Sequence, residues 1–110
     1  MANTESVDQD REDKKRRSMD HIERNHMFHG KQGKSVFMSN NRCDVWALIQ
    51  ETLTNPDTTS LHRSKKERLV YKKNFATPVG VDGLTGTWCY FVTIIYDTRD
   101  NFIITAFPSV

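Results

Sequence analysis

Thr87-Trp88-Cys89-Tyr90-Phe91-Val92-Thr93-Ile94-Ile95-Tyr96, the link Asp97-Thr98-Arg99-Asp100-Asn101 and the run Phe102-Ile103-Ile104-Thr105-Ala106-Phe107-Pro108 decide the fold of this 110-residue chain. The first run is dominated by aromatic and β-branched residues, the link has turn composition, and the last run returns to β-formers. Together they predict a terminal β-hairpin. Upstream, Leu69–Phe75 and Pro78–Val81 read as further strands, and Asp82-Gly83-Leu84-Thr85-Gly86 as a turn rich in residues that tolerate unusual backbone angles. Before Ser60 the pattern is helical. Asn40 or Asn41 can cap a helix with Asp44 in its first turn and Val45, Trp46, Leu48, Ile49 and Leu53 on its buried face, until Asn55-Pro56-Asp57 ends it. Helix formers also predominate from about Lys14 to Met27, with Met19, Ile22 and Met27 as a sparse apolar stripe and Gly30 as the stop. Helices first and a meander of antiparallel strands after them define an α+β layer, the sheet burying one face against the helices. The polar start, residues 1–17, is set apart as a flexible N-terminal tail from a single domain over residues 18–110.

The length sets one domain with a modest core. Cys43 and Cys89 do not make a disulfide framework, and neither has a neighbouring cysteine to share a zinc ion, so buried free thiols are expected. No apolar run approaches a membrane span of roughly 20 residues, and the N-terminus lacks an apolar signal core. Net charge is +2, but residues 1–20 hold five basic and six acidic side chains, residues 21–75 ten and five, and residues 76–110 one and three. The excess therefore sits in the middle, where Lys31, Lys34, Arg42, Arg63, Lys65, Lys66, Arg68, Lys72 and Lys73 lead it. That placement suits a phosphate backbone; the bland alternative is a solvated face.

Within the basic segment, His21, His26 and His29 fall in His21-Ile22-Glu23-Arg24-Asn25-His26-Met27-Phe28-His29-Gly30. Imidazoles titrate near neutral pH and serve as acid or base, and a threonine in the last strand adds a fixed hydroxyl. Gly30-Lys31-Gln32-Gly33-Lys34-Ser35 ends like a P-loop, but Phe28 stands where the first glycine belongs and a helix precedes it where a strand should. Such a turn still offers backbone N–H groups to a phosphate. His26 and His29 share a helical face, yet a catalytic zinc needs a third ligand, and His21 points about 140° away from His26 on a straight helix.

The helix with His-Ile and a second histidine after it, Lys34-Ser35-Val36-Phe37, a short helix ending near a proline, and a meander closing on Ile104-Thr105-Ala106-Phe107-Pro108 resemble C-terminal toxin domains of bacterial contact-dependent inhibition and related polymorphic toxin systems. Among these the chain is most similar to the EndoU-like ribonucleases of the barnase, EndoU, colicin and RelE-like superfamily, over roughly residues 18–108. The Gly-Gly-His pattern that often accompanies the second EndoU histidine is not present. The resemblance implies metal-independent cleavage of RNA, usually transfer RNA in its anticodon loop, by attack of a ribose 2′-hydroxyl, leaving a 2′,3′-cyclic phosphate. It makes His21 and His26 the acid and base, with Thr105 at the phosphate. Arg24, His29, Lys34, Ser35 and Lys72 become substrate contacts, with no metal and no cofactor. It further implies a cognate immunity protein, a larger delivery protein N-terminal to the domain, export by the producing cell and action in the target-cell cytoplasm.

Each residue also has a structural reading. Thr105 suits a strand because it is β-branched, Ser35 can turn the chain, and Arg24 can pair with Asp20 four residues earlier. Tyr71, Tyr90 and Tyr96 can stack on bases, although alternation buries at least one. The competing class is a basic module that holds RNA or a protein partner without cutting it. An antitoxin or immunity role fits poorly with the positive middle segment.

Overall fold

The structure, a computed structural model, describes residues 4–27 and 33–110. Two helices precede the long strands: α1 spans Thr4–His26 and α2 spans Arg42–Thr54, with the short strand β1, Val36–Phe37, between them. Then follow β2 (Thr58–Leu61), β3 (Arg68–Asn74), β4 (Gly80–Val81), β5 (Trp88–Cys89), β6 (Phe91–Asp97) and β7 (Phe102–Ser109). The α+β class is as expected, with the helices N-terminal and the long strands C-terminal. Three details differ from expectation. Helix α1 begins at Thr4, so residues 4–17 of the stretch read as a polar tail are helical; Gln9 with Asp13, and Asp10 with Lys14, are paired one turn apart. The long β-run divides at Tyr90, whose carbonyl accepts from Phe75 N, so β5 and β6 enter different sheets. Strands β1 and β2 were not anticipated.

The main sheet is antiparallel in the order β2-β3-β6-β7, and a small sheet has the order β1-β4-β5. Pairing of Ile94 with Tyr71 and Ala106 places these on one face, together with Val92, Tyr96 and Ile103; the core, with Ile22, Val45 and Ile49, lies on that side. Helix α2 supplies Val45 and Ile49 one turn apart and is capped by Asn41, whose Oδ1 accepts from Cys43 N at 2.7 Å. Cys89 is buried as anticipated, whereas Cys43 is exposed in the first turn of α2.

Helix α1 closes the outer edge of β7: Ser18 Oγ donates to the Ile103 carbonyl at 2.7 Å, and Lys14 Nζ to the Asp100 carbonyl. A bulge at Ile104, unpaired between Ile95↔Thr105 and Tyr96↔Ile103, restores alternation along the rest of β7. Thr105, Phe107 and Ser109 then point away from the core, as do Phe91, Thr93 and Ile95 of β6 and Val70 and Lys72 of β3. This second, open face of the main sheet carries the candidate site.

Candidate functional site

His26 ends α1 and is only 7% exposed. Its ring lies against Phe107, centroids 5.4 Å apart, and its Nδ1 donates to the Ser35 carbonyl at 2.9 Å. A carbonyl only accepts, so the neutral ring carries its proton on Nδ1 and keeps the Nε2 lone pair. Burial lowers the His26 pKa below its ordinary 6.5; the Ser35 bond opposes the shift, while the positive charges of Lys34 and His21 add to it. At neutral pH His26 is therefore an uncharged imidazole with a basic Nε2.

One turn back, His21 is half-buried and presents the opposite arrangement. Asn25 Nδ2 donates to the His21 carbonyl at 2.9 Å, which fixes the amide nitrogen on that side, and the same nitrogen faces His21 Nδ1 at 3.4 Å. An amide nitrogen can only donate, so neutral His21 has its proton on Nε2. The two histidines thus differ at Nε2: one holds a lone pair, the other a proton.

From His26 a row runs across the open face through the register Phe107↔Thr93↔Lys72↔Thr58. Thr93, between Phe107 and Lys72 in the register, is 7% exposed and shares a hydrogen bond of 2.8 Å with Ser109. Lys72 Nζ lies 4.7 Å from the Phe91 ring centroid, and toward the start of β7 the Arg17 guanidinium lies 5.1 Å from that of Phe102. Hydroxyls, cations and aromatic rings thus share one sheet face, a composition suited to RNA.

Thr105 belongs to the same face, two residues before Phe107. Its Oγ1 is the one buried side-chain polar atom without a hydrogen-bond partner among the described residues. Lys34 and Ser35 adjoin His26 through the loop that supplies its acceptor. Arg24 is exposed three residues beyond His21; Asp20, the partner expected for it, pairs instead with Arg42 at 2.6 Å, and Arg42 also reaches Glu23. His29 lies outside the described residues. Thr93, Ser109, Arg17 and Phe107 were missed as site residues. The alternation of Phe91–Asp97 carried the signal for Thr93, while the others needed the register and the course of α1.

A groove of about 470 Å³ between α1 and α2, lined by Met19, Arg42, Cys43 and Trp46 among others, contains none of the candidate residues. Among the described residues, no three His, Cys, Asp or Glu side chains gather as a metal site, and no helix is long and apolar enough to cross a membrane. No family model, curated protein or solved structure matches the chain.

The state of His26 makes stability pH-dependent. Its native pKa is lowered, so between the unfolded value near 6.5 and the native value the unfolded chain binds more protons, and stability falls as the pH drops through that window. The melting temperature is expected to be lower at pH 5 than at pH 7.5, with His26→Asn flattening the dependence. An unchanged slope in that variant would assign the acid sensitivity to other groups.

Proposed function

We propose that this chain is a metal-independent endoribonuclease, with His26 as general base and His21 as general acid. The observation that carries the reading is the difference at Nε2, beside a sheet face bearing Lys72, Thr93 and Ser109. His26 Nε2 takes the 2′-hydroxyl proton, and the 2′-oxygen attacks the adjacent phosphorus. His21, as imidazolium, then gives its Nε2 proton to the departing 5′-oxygen and is left a neutral imidazole, leaving a 2′,3′-cyclic phosphate and a 5′-hydroxyl. Lys34 and Lys72 supply positive charge to the phosphate. Thr105 Oγ1, lacking a partner in the free protein, acquires one in the substrate complex.

In the same reading the chain is the toxin domain of a larger delivered bacterial protein. It acts on transfer RNA in the target-cell cytoplasm, and the producing cell protects itself with an immunity protein over the basic face. The test is incubation of the purified chain with total bacterial RNA in EDTA, followed by end-group analysis. Discrete fragments ending in cyclic phosphate support the reading, and intact RNA bound to the chain supports the non-cleaving module instead.

Thr105→Val separates the catalytic use of the hydroxyl from its structural cost. Removing an unpaired buried hydroxyl while keeping its shape is expected to leave stability unchanged or raise it by about 1 kcal/mol. Loss of one phosphate contact lowers kcat/KM roughly 10-fold, about 1.4 kcal/mol in the transition state. Thermal melts and initial rates on one preparation check both signs; full activity in a stable variant would remove Thr105 from the site.

A further inference from the structure

Helix α1 runs alongside β7 in the same direction. Lys14 reaches the Asp100 carbonyl, Ser18 the Ile103 carbonyl and His26 the Phe107 ring, so each step along the helix has a counterpart along the strand. Arg17 belongs to this series. Its guanidinium lies 5.1 Å from the ring centroid of Phe102, which stands on the open face, one residue before the core-facing Ile103. A guanidinium seated on a ring keeps its N–H groups at its edges, where a phosphate can accept from two of them at once. The neighbouring carboxylates are engaged elsewhere: Asp13 with Arg16, Asp20 and Glu23 with Arg42, and Asp97 Oδ1 with the backbone N–H groups of Arg99 and Asp100. Arg17 is exposed and has no carboxylate partner among the described residues.

We propose that Arg17, positioned by Phe102, binds the RNA phosphate one nucleotide downstream of the cut. Its direction, given the nuclease reading on which this rests, follows from the order of groups along α1. His26 takes the 2′-hydroxyl proton of the nucleotide on the 5′ side of the cut, and His21 serves the 5′-oxygen that leaves on the 3′ side. His26, His21 and Arg17 follow one another toward the N-terminus of the helix, Arg17 lying four residues, about 6 Å, beyond His21. On a straight helix Arg17 and His21 are only about 40° apart in direction, so both face the same strand of RNA. The leaving portion therefore passes Arg17, and the RNA runs antiparallel to β7, with its 5′ side at Phe107 and its 3′ side at Phe102. Such a contact fixes the register of the substrate without reading a base.

The test uses an RNA oligonucleotide spanning a site cut in the total-RNA digest, with a neutral methylphosphonate placed one nucleotide downstream or one nucleotide upstream of the scissile phosphate. For the wild-type chain the downstream replacement is expected to lower kcat/KM about 10-fold, and Arg17→Gln to do the same on unmodified RNA. The two changes combined should cost no more than either alone, because both remove one contact, whereas the upstream replacement and Arg17→Gln should multiply. A general loss of positive charge or of folded protein would multiply with both replacements alike. A downstream replacement without effect on the wild-type chain overturns the proposal, as does a cycle in which Arg17→Gln couples to the upstream phosphate or to neither. Those outcomes leave cleavage itself standing; a wild-type chain that cuts no RNA overturns the nuclease reading and the proposal with it.

Discussion

His26→Asn is expected to lower RNA cleavage by about 10²- to 10⁴-fold while leaving the fold intact. The asparagine amide stands where Nδ1 stood and still donates to the Ser35 carbonyl, so the loop keeps its anchor. What disappears is the Nε2 lone pair. His26→Ala loses the anchor and the Phe107 contact as well, so it should be equally inactive and less stable. The division of labour is testable on a uridine 3′-phosphodiester with a nitrophenyl leaving group, which departs without a proton. His21→Ala should cleave that substrate nearly as fast as the wild type and fail on RNA, whereas His26→Asn should fail on both. Because the His26 pKa is lowered, the acid limb of kcat/KM should also have its midpoint below 6.5. A His26→Asn protein retaining more than about a tenth of wild-type activity would be inconsistent with proton abstraction by Nε2.

The strands with a long alternating or β-branched run were legible in the sequence, and the short ones were not. Phe91–Asp97 and Phe102–Ser109 are recognisable because each alternates or stays apolar long enough to mark its own faces. Thr58–Leu61 lacks that contrast: all four residues are exposed, and β3 defines the strand by pairing with it. The division at Tyr90 was equally hidden, since Trp88, Cys89 and Phe91 are all good β-formers and only the partner strands distinguish them. Helix α1 begins at Thr4, ten residues before the expected start at Lys14, and the ion pairs Asp10–Lys14 and Asp13–Arg16, about one turn apart, support the stretch ahead of its apolar stripe.

The site was legible as a set of residue types and illegible as a constellation. Two histidines five apart on a helix look divergent, yet His26 is held by Ser35 and feels the charge of His21. Which nitrogen each ring offers depends on Asn25 and on a carbonyl nine residues away, and neither partner can be read from spacing. In the sequence, Thr105 stands out only as a hydroxyl in the last strand and through the resemblance. Its orphaned hydroxyl is a separate, physical reason to hold it in view.

Gly80→Ala is expected to cause a large loss of stability, because the added methyl meets the buried core side of β7. A Cβ at Gly80 would lie 2.4 Å from Pro108 Cγ, 2.5 Å from Pro108 Cβ and 2.5 Å from the Val36 carbonyl oxygen. None of these can yield by a rotamer change: Pro108 is a buried ring in β7, and Val36 O is main chain in β1. The cost is therefore expected at or above the top of the range of about 1–3 kcal/mol for overpacked positions, a fall of about 10 °C or more in melting temperature. Gly86→Ala is the comparison. Its φ of +71° disfavours alanine, but no atom lies within 4 Å, so it should cost only about 1 kcal/mol. The clash at Gly80 also reaches the site, because β1 begins one residue after Ser35. Pushing Val36 away shifts the carbonyl that fixes the His26 tautomer, so activity should fall in Gly80→Ala even at temperatures where the protein remains folded. A melting temperature within about 2 °C of wild type would mean that the small sheet can slide off Pro108 freely; the anchoring of His26 would then be independent of it.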